Sequence, residues 1–265
     1  MLTALAPTAA TGDGFSAPTV GEFFPGELLF VGTPFALSRI NLIGLLMTGV
    51  VCLFFVMAFA RPKLVPSGVQ NLGEMAIDLV QKNVIDEVMG EKGKKYAPYL
   101  VAMFWLLLSF NITAVVPTMH LAASSVIAIP FMFAMVAWFV FNVQGIRALG
   151  FWHYLKANLF PPGIPWPIYI LVTPIEAVST FILRPLTLTI RLLANMMAGH
   201  LLLVLFFSAT SALLVADGLM KVFAIPAFFM GFAFTLFEIL VAILQAYIFT
   251  LLTAVYIDGA TSEEH

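Results

Sequence analysis

Charged residues are scarce in this chain of 265 residues: 10% are Asp, Glu, Lys or Arg, while 62% are hydrophobic. A soluble domain usually carries roughly 25% charged residues, so a soluble globular fold is excluded and lipid must surround most of the chain. The formal net charge is -2, so the chain has no excess of basic residues. We therefore expect no nucleic-acid binding. The single cysteine, Cys52, excludes an internal disulfide.

Motifs for nucleotide chemistry and metal binding are missing too. No Gly-rich phosphate loop is present, and the four histidines are scattered without metal-ligand spacing. We therefore expect no cofactor, no bound metal and no catalysis by the chain itself. Residues 1–34 contain no Lys or Arg, so the positive start of a signal peptide is absent. We assign residues 1–37 to an extramembrane segment and residues 38–265 to a single membrane domain.

Three apolar runs are long enough to cross a bilayer, because about 20 helical residues span ~30 Å of hydrocarbon. They cover about residues 40–60, 97–117 and 123–143, and charges or prolines end them. Only a few residues, 118–121, separate the second run from the third. Such a short link predicts that these two helices are antiparallel neighbours.

Residues 66–90 differ from these runs because charged side chains interrupt the apolar ones. The apolar residues recur at roughly helical spacing: Val69, Leu72, Ala76, Leu79, Ile85 and Val88. The pattern predicts an amphipathic helix. It lies either on the membrane surface or against a partner subunit, and the sequence leaves both readings open.

Lys and Arg cluster on one side of the three predicted spans. Segments 61–96 and 144–167 hold most of them, whereas the N-terminal segment and the link 118–122 hold none. Cytoplasmic segments carry the excess of Lys and Arg in membrane proteins. The N-terminus is therefore predicted to lie outside and the C-terminus in the cytoplasm.

Two longer helical stretches, about residues 168–207 and 219–257, follow a cluster of prolines. About 40 helical residues measure ~60 Å, roughly twice the apolar thickness. Each stretch therefore breaks, with Pro185 and Pro226 as candidate bends, or tilts steeply, which explains the length better. The turn signal Ala216-Asp217-Gly218 predicts an antiparallel hairpin.

Polar residues inside this hairpin are few. A charge at a helix centre costs about 2.5–3.5 kcal/mol on insertion scales, so each such residue is a functional candidate. A hairpin that turns near residue 218 places Arg191 opposite Gln245 at mid-depth, and His200 opposite Glu238 nearer the outside. Asn195 lies one helical turn from Arg191 on the same face.

These side chains suit the transfer of protons. Histidine and glutamate both bind and release protons, so His200 and Glu238 predict an outer path, and Glu176 supplies an acid toward the cytoplasmic end. A guanidinium does not lose its proton in proteins, so Arg191 is a fixed charge that repels passing protons and stabilises a nearby carboxylate. The chain has no carboxylate of its own at mid-depth, so a partner must bring one.

Two segments resemble the signature of subunit a of F-type ATP synthases. They are residues 184–200, RPLTLTIRLLANMMAGH, and residues 238–256, EILVAILQAYIFTLLTAVY. Residues 174–179, PIEAVS, and the Ser109-Phe-Asn-Ile segment before Pro117 are also similar to that family. The strong part of the resemblance covers roughly residues 170–257.

The resemblance implies roles for the candidate residues. Arg191 matches the arginine that faces the ion-binding carboxylate of a rotating c-ring, with Asn195 and Gln245 as polar neighbours. His200 and Glu238 match the pair of the outer half-channel, and Glu176 matches the acid of the cytoplasmic half-channel. The implied protein is a stator subunit of the Fo sector in a bacterial plasma membrane, with the c-ring, peripheral-stalk b subunits and other ATP synthase subunits as partners.

The chain departs from the family pattern in two places. Some bacterial relatives carry the glutamate at the position of His200 and the histidine at that of Glu238. The segment from Glu176 to Arg184 is one residue longer than the commonest pattern, which in a regular helix rotates Glu176 by about 100° relative to Arg191. Arg184 is read either as a lipid-contacting residue or as a half-channel residue.

Two other classes of function compete with this interpretation. A self-contained secondary transporter predicts inverted repeats, and no internal repeat is visible. A purely structural membrane subunit predicts that the buried charges only join helices as ion pairs. The transported ion is H⁺ or Na⁺, and His200 favours H⁺.

Overall fold

A computed structural model describes residues 27–29, 37–116, 124, 126–160 and 168–261 of the protein. This part of the chain is mostly helical, with short connections and one antiparallel strand pair, β1 (Glu27–Leu29) with β2 (Leu37–Ser38). Ser38 also caps the first helix, because its Oγ accepts a hydrogen bond from the Asn41 N–H at 3.4 Å. The predicted helical class is confirmed.

The α-helices of the described residues are α1 (Arg39–Phe59), α2 (Val69–Val80), α3 (Asp86–Val88), α4 (Ala97–Ile112), α5 (Ala128–Leu149), α6 (Phe151–Leu159), α7 (Tyr169–Val178), α8 (Arg184–Val215) and α9 (Ala224–Thr261). Wider π turns follow α2 (Gln81–Ile85) and α7 (Ser179–Leu183), and tighter 3-10 turns precede α4 (Gly90–Tyr96) and α9 (Gly218–Phe223).

Five helical stretches are long and apolar enough to cross a membrane: Arg39–Phe59, Gly90–Ile112, Ala128–Leu149, Tyr169–Val215 and Gly218–Thr261. The last two contain 47 and 44 residues, so each measures roughly 65–70 Å at 1.5 Å per residue. Most large apolar side chains on their outer faces are exposed, as lipid contact requires.

Several helix boundaries differ from those expected. The third apolar helix begins at Ala128 rather than 123 and ends at Leu149 rather than 143. The two long helices end at Val215 and Thr261, rather than 207 and 257. Helix α8 continues through Ser208 and Thr210, whose hydroxyls donate to carbonyls of the preceding turn. The link 118–121 lies outside the described residues.

Helix α6 was not predicted, because its short sequence lies between an apolar run and a proline cluster. Gly150 separates it from α5 with a φ of 81°, a left-handed conformation that favours glycine. Tyr154 of α6 is buried and its hydroxyl donates to Asn142 Oδ1 at 3.0 Å. Its ring occupies the space that a side chain at Gly145 would fill.

The amphipathic segment packs against the chain's own helices. Val80, Val84 and Ile85 are buried in the main core. The Trp105 indole N–H of α4 donates to the Ala76 carbonyl at 3.1 Å, and the Tyr247 hydroxyl of α9 donates to the Asn83 carbonyl at 3.3 Å. A second apolar side of α2, which includes Leu72, Met75 and Leu79, remains exposed. The segment thus has one internal face and one outward face.

The main core forms where α4, α5, α8 and α9 meet. Its largest fully buried side chains include Phe141, Leu107, Leu188, Leu192 and Phe249. Alanines 137, 242 and 246 are also fully buried, and small residues of this kind let membrane helices approach closely. This packing fixes which faces of α8 and α9 point outward.

Helices α8 and α9 contact each other in opposite residue order. The Phe206 and Phe234 rings stack with centroids 5.0 Å apart, and farther toward the connection Phe207 meets Phe228 at 6.5 Å. Gly218, with a φ of 74°, opens the 3-10 turn between the two helices.

Candidate functional site

Arg191 lies on the outward face of α8. Thr187, Ala194 and Ala198 share its face of the helix at spacings of four, three and seven residues, and all three are exposed. The core side of α8 carries Leu188 and Leu192, which are 2% and 0% exposed. The Arg191 side chain is exposed and, among the described residues, no hydrogen bond or ion pair to it is formed. The Arg191 guanidinium is therefore open to groups outside the described chain.

Asn195 and Gln245 connect α8 with α9 next to this arginine. The Asn195 Nδ2 donates to Gln245 Oε1 at 3.4 Å. Gln245 is buried, and its Nε2 has no acceptor among the described residues. The sequence register had placed Arg191 opposite Gln245. The direct partner of Gln245 is instead Asn195, one helical turn from Arg191.

Glu238 and His200 are both buried, at 3% and 5% exposure. The Glu238 carboxyl lies directly against Gly199, the residue before His200: a Cβ at position 199 would be 2.8 Å from Glu238 Oε1. Neither carboxyl oxygen has a hydrogen-bond partner within the described chain. The two helices therefore bring a buried carboxyl and a buried imidazole to the same level.

Glu176 is half-buried on α7, and a π turn separates it from α8. The Arg184 N–H donates to the Ser179 carbonyl, five residues earlier. Pro185 explains the wide turn, because it has no N–H and its ring clashes with the carbonyl four residues before it. A π turn accommodates one additional residue. The expected rotation of Glu176 by about 100° relative to Arg191, which assumed a regular helix, is therefore wrong.

Arg184 lies between two aromatic rings. Its guanidinium carbon is 5.1 Å from the centroid of the Tyr256 ring and 5.9 Å from that of Phe141. The two rings are themselves in contact at 5.7 Å. Arg184 therefore faces α5 and α9. Sequence reasoning missed this aromatic pair, since no local pattern links residues so far apart.

The described residues contain no group of three His, Cys, Asp or Glu side chains that could hold a metal ion. The site itself offers carboxyl, imidazole, amide and guanidinium groups. These groups bind, release or repel protons.

Known proteins resemble this chain over nearly its whole length. The family described as ATP synthase A chain matches residues 42–258. ATP synthase subunit a of Rhodococcus erythropolis is 45% identical over 264 residues, which cover 98% of this chain and 96% of the relative. The proteins of the same name from a Parafrankia species and from Hyphomonas neptunium are both 40% identical, with 96% and 84% of this chain and 86% and 87% of the relatives covered.

Proposed function

Because the chain belongs to the ATP synthase A chain family, we propose that it is the proton-translocating stator subunit of the Fo sector of a bacterial ATP synthase. Two offset half-channels in the subunit load and unload a carboxyl group of a rotating c-ring. The subunit makes no covalent change itself. Its partners are the c-ring, peripheral-stalk b subunits, other ATP synthase subunits and membrane lipid.

In this proposal α1, α4 and α5 span the membrane, while α7–α8 and α9 cross it as a steeply tilted antiparallel hairpin. The lengths of the two long stretches support the tilt, because they are about twice the ~30 Å of hydrocarbon. The distribution of Lys and Arg supports an N-terminus outside and a C-terminus in the cytoplasm of a plasma membrane.

Protons enter from outside past His200 and Glu238 and reach a c-ring carboxylate beside Arg191. Asn195 and Gln245 provide the polar surroundings of the crossing point. The observation that carries the proposal is the outward-facing guanidinium of Arg191, which has no acid partner within the described chain. A ring carboxylate supplies that missing acid, and the fixed charge drives the proton off a ring carboxyl that arrives beside it at the end of a rotation.

The ring returns the proton to the cytoplasm by way of Glu176 after almost a full rotation. Arg191 separates the two paths, because a permanent cation repels protons that would otherwise cross directly between them. His200 favours H⁺ over Na⁺ as the transported ion, since imidazole is a proton-binding group.

Substitution of Arg191 in the assembled ATP synthase tests this function. We expect both Arg191→Ala and Arg191→Lys to abolish proton-driven ATP synthesis in reconstituted liposomes while the complex still assembles. Arg147→Ala is the matched control, because Arg147 is an exposed arginine at the end of α5. Normal coupled synthesis by Arg191→Ala would refute the mechanism.

The rival classes predict different outcomes of the same experiment. Loss of assembly without a specific loss of synthesis would favour a structural role for the buried charges. A chain that transports ions when purified without a ring of small subunits would favour a secondary transporter.

A further inference from the structure

The surroundings of Arg184 differ from those of an arginine that extends along lipid toward the membrane surface. Arg184 is only half-buried, but its guanidinium is held between the Tyr256 and Phe141 rings at 5.1 and 5.9 Å. Aromatic faces attract cations at these distances. Two rings from two different helices therefore fix the position of the charge.

The two rings orient the Arg184 charge without neutralising it. In the described ranges no carboxylate oxygen lies within ion-pair distance of the guanidinium. The charge also acts on Tyr154 of α6, whose hydroxyl donates to Asn142 Oδ1 at 3.0 Å. Arg184 thus presents a full positive charge toward Tyr154 of α6 and its hydrogen-bond partner Asn142 of α5.

The π turn aligns this charge with Glu176. Eight residues of regular α-helix would set Glu176 and Arg184 about 80° apart around the axis at 100° per residue. The wide turn Ser179–Leu183 takes up one residue, which leaves the two side chains within about 20° of one line along the helix. They are separated along the axis by two turns, roughly 11–12 Å.

We infer that Arg184 is a second fixed cation of the translocation path, a positioning residue whose charge lies on the Glu176 side of Arg191 and speeds the release of protons to the cytoplasm. The inference rests on the proposed function. Two unit charges about 12 Å apart interact by an amount that corresponds to about tenfold in a rate or equilibrium at an effective dielectric constant near 20.

Charge and ring variants of the intact ATP synthase test this role, with ATP synthesis in liposomes measured per assembled complex. We expect Arg184→Gln to lower the rate about tenfold and Arg184→Lys, which keeps the charge, to retain most of it. Tyr256→Phe keeps the ring and should retain most of the rate, whereas Tyr256→Leu should lower it. A residue that only joins helices would change the yield of assembled complex and not the rate per assembled complex.

Two results would overturn the inference: an Arg184→Gln complex as fast as the unmodified one, or an assembled Arg184→Lys complex as slow as Arg184→Gln. If Arg184→Gln prevents assembly, the rates of Tyr256→Phe and Tyr256→Leu are compared instead, because both variants keep the arginine. Equal rates of these two variants contradict the inference. Arg191→Ala distinguishes a failure of the proposed function from a failure of the role assigned to Arg184. Synthesis that survives Arg191→Ala refutes the proposed function, whereas synthesis lost there but unchanged in Arg184→Gln refutes only the role of Arg184.

Discussion

Gly199→Ala tests whether the Glu238 carboxyl must occupy the space that glycine leaves open. An added Cβ would lie 2.8 Å from Glu238 Oε1 and 3.1 Å from its Cδ. Ordinary contact begins near 3.4 Å, so the carboxyl must move by about 0.6 Å, the difference between 3.4 and 2.8 Å. Both Glu238 and the adjacent His200 are buried, which limits the directions in which the carboxyl can relax.

The expected magnitude follows from the displacement of the carboxyl. A misplacement of about 1 Å in a reacting group costs about 10²-fold in rate, so a displacement of about 0.6 Å costs about tenfold. We therefore expect Gly199→Ala to slow proton-driven ATP synthesis about tenfold, provided that Glu238 carries protons as proposed. Gly49→Ala in α1 is the matched control, because no atom lies within 4 Å of a Cβ at that helical position.

A second substitution separates displacement of the carboxyl from general damage. Aspartate at position 238 is one methylene shorter and withdraws the carboxyl from the new methyl group. In a double-mutant cycle, Glu238→Asp should therefore cost less in the Gly199→Ala chain than in the unmodified chain. Gly199→Ala activity equal to that of Gly49→Ala, or strictly additive losses in the cycle, would refute the reasoning.

Three further substitutions test other parts of the structure. Deletion of Ile182 from the π turn should preserve most ATP synthesis, because the turn becomes regular without rotating Glu176. Deletion of the similarly exposed Leu186 should abolish synthesis, because it rotates Glu176 and Arg184 by about 100° relative to Arg191. The opposite order of activities would contradict the alignment of Glu176 with Arg184. Trp105→Phe removes the hydrogen bond to the Ala76 carbonyl and should destabilise the contact between α4 and α2 by about 1 kcal/mol. We expect faster hydrogen exchange in residues 69–80, and unchanged exchange would disprove the contact. Burial raises the pKa of the Tyr154 hydroxyl, and the charge of Arg184 partly offsets the rise. The stability that the protonated hydroxyl contributes is therefore fully present below the ordinary tyrosine pKa near 10 and is lost as the pH rises through the raised value. Tyr154→Phe should flatten the alkaline loss of thermal stability in detergent, and an unchanged profile would refute this.

Local sequence was sufficient to predict the helical class and the candidate residues. Apolar runs of about 20 residues reveal membrane helices without any tertiary information, and a charge such as Arg191 or Glu238 inside such a run is visible at once. The helix ends were predicted less well, because Ser208 and Thr210 continue α8 by donating hydrogen bonds to its own carbonyls. Helix α6 was missed altogether.

Composition and long apolar runs were enough to place this chain in lipid, to reveal its family resemblance and to identify the few polar side chains that are costly there. The contacts of those side chains became visible only in the folded chain: Gly199 against Glu238, Asn195 against Gln245, and Arg184 between two rings from α5 and α9. Burial in lipid depends on runs of neighbouring residues, whereas contact depends on how distant helices pack. A single π turn before Pro185 changes the direction of every side chain on one side of it.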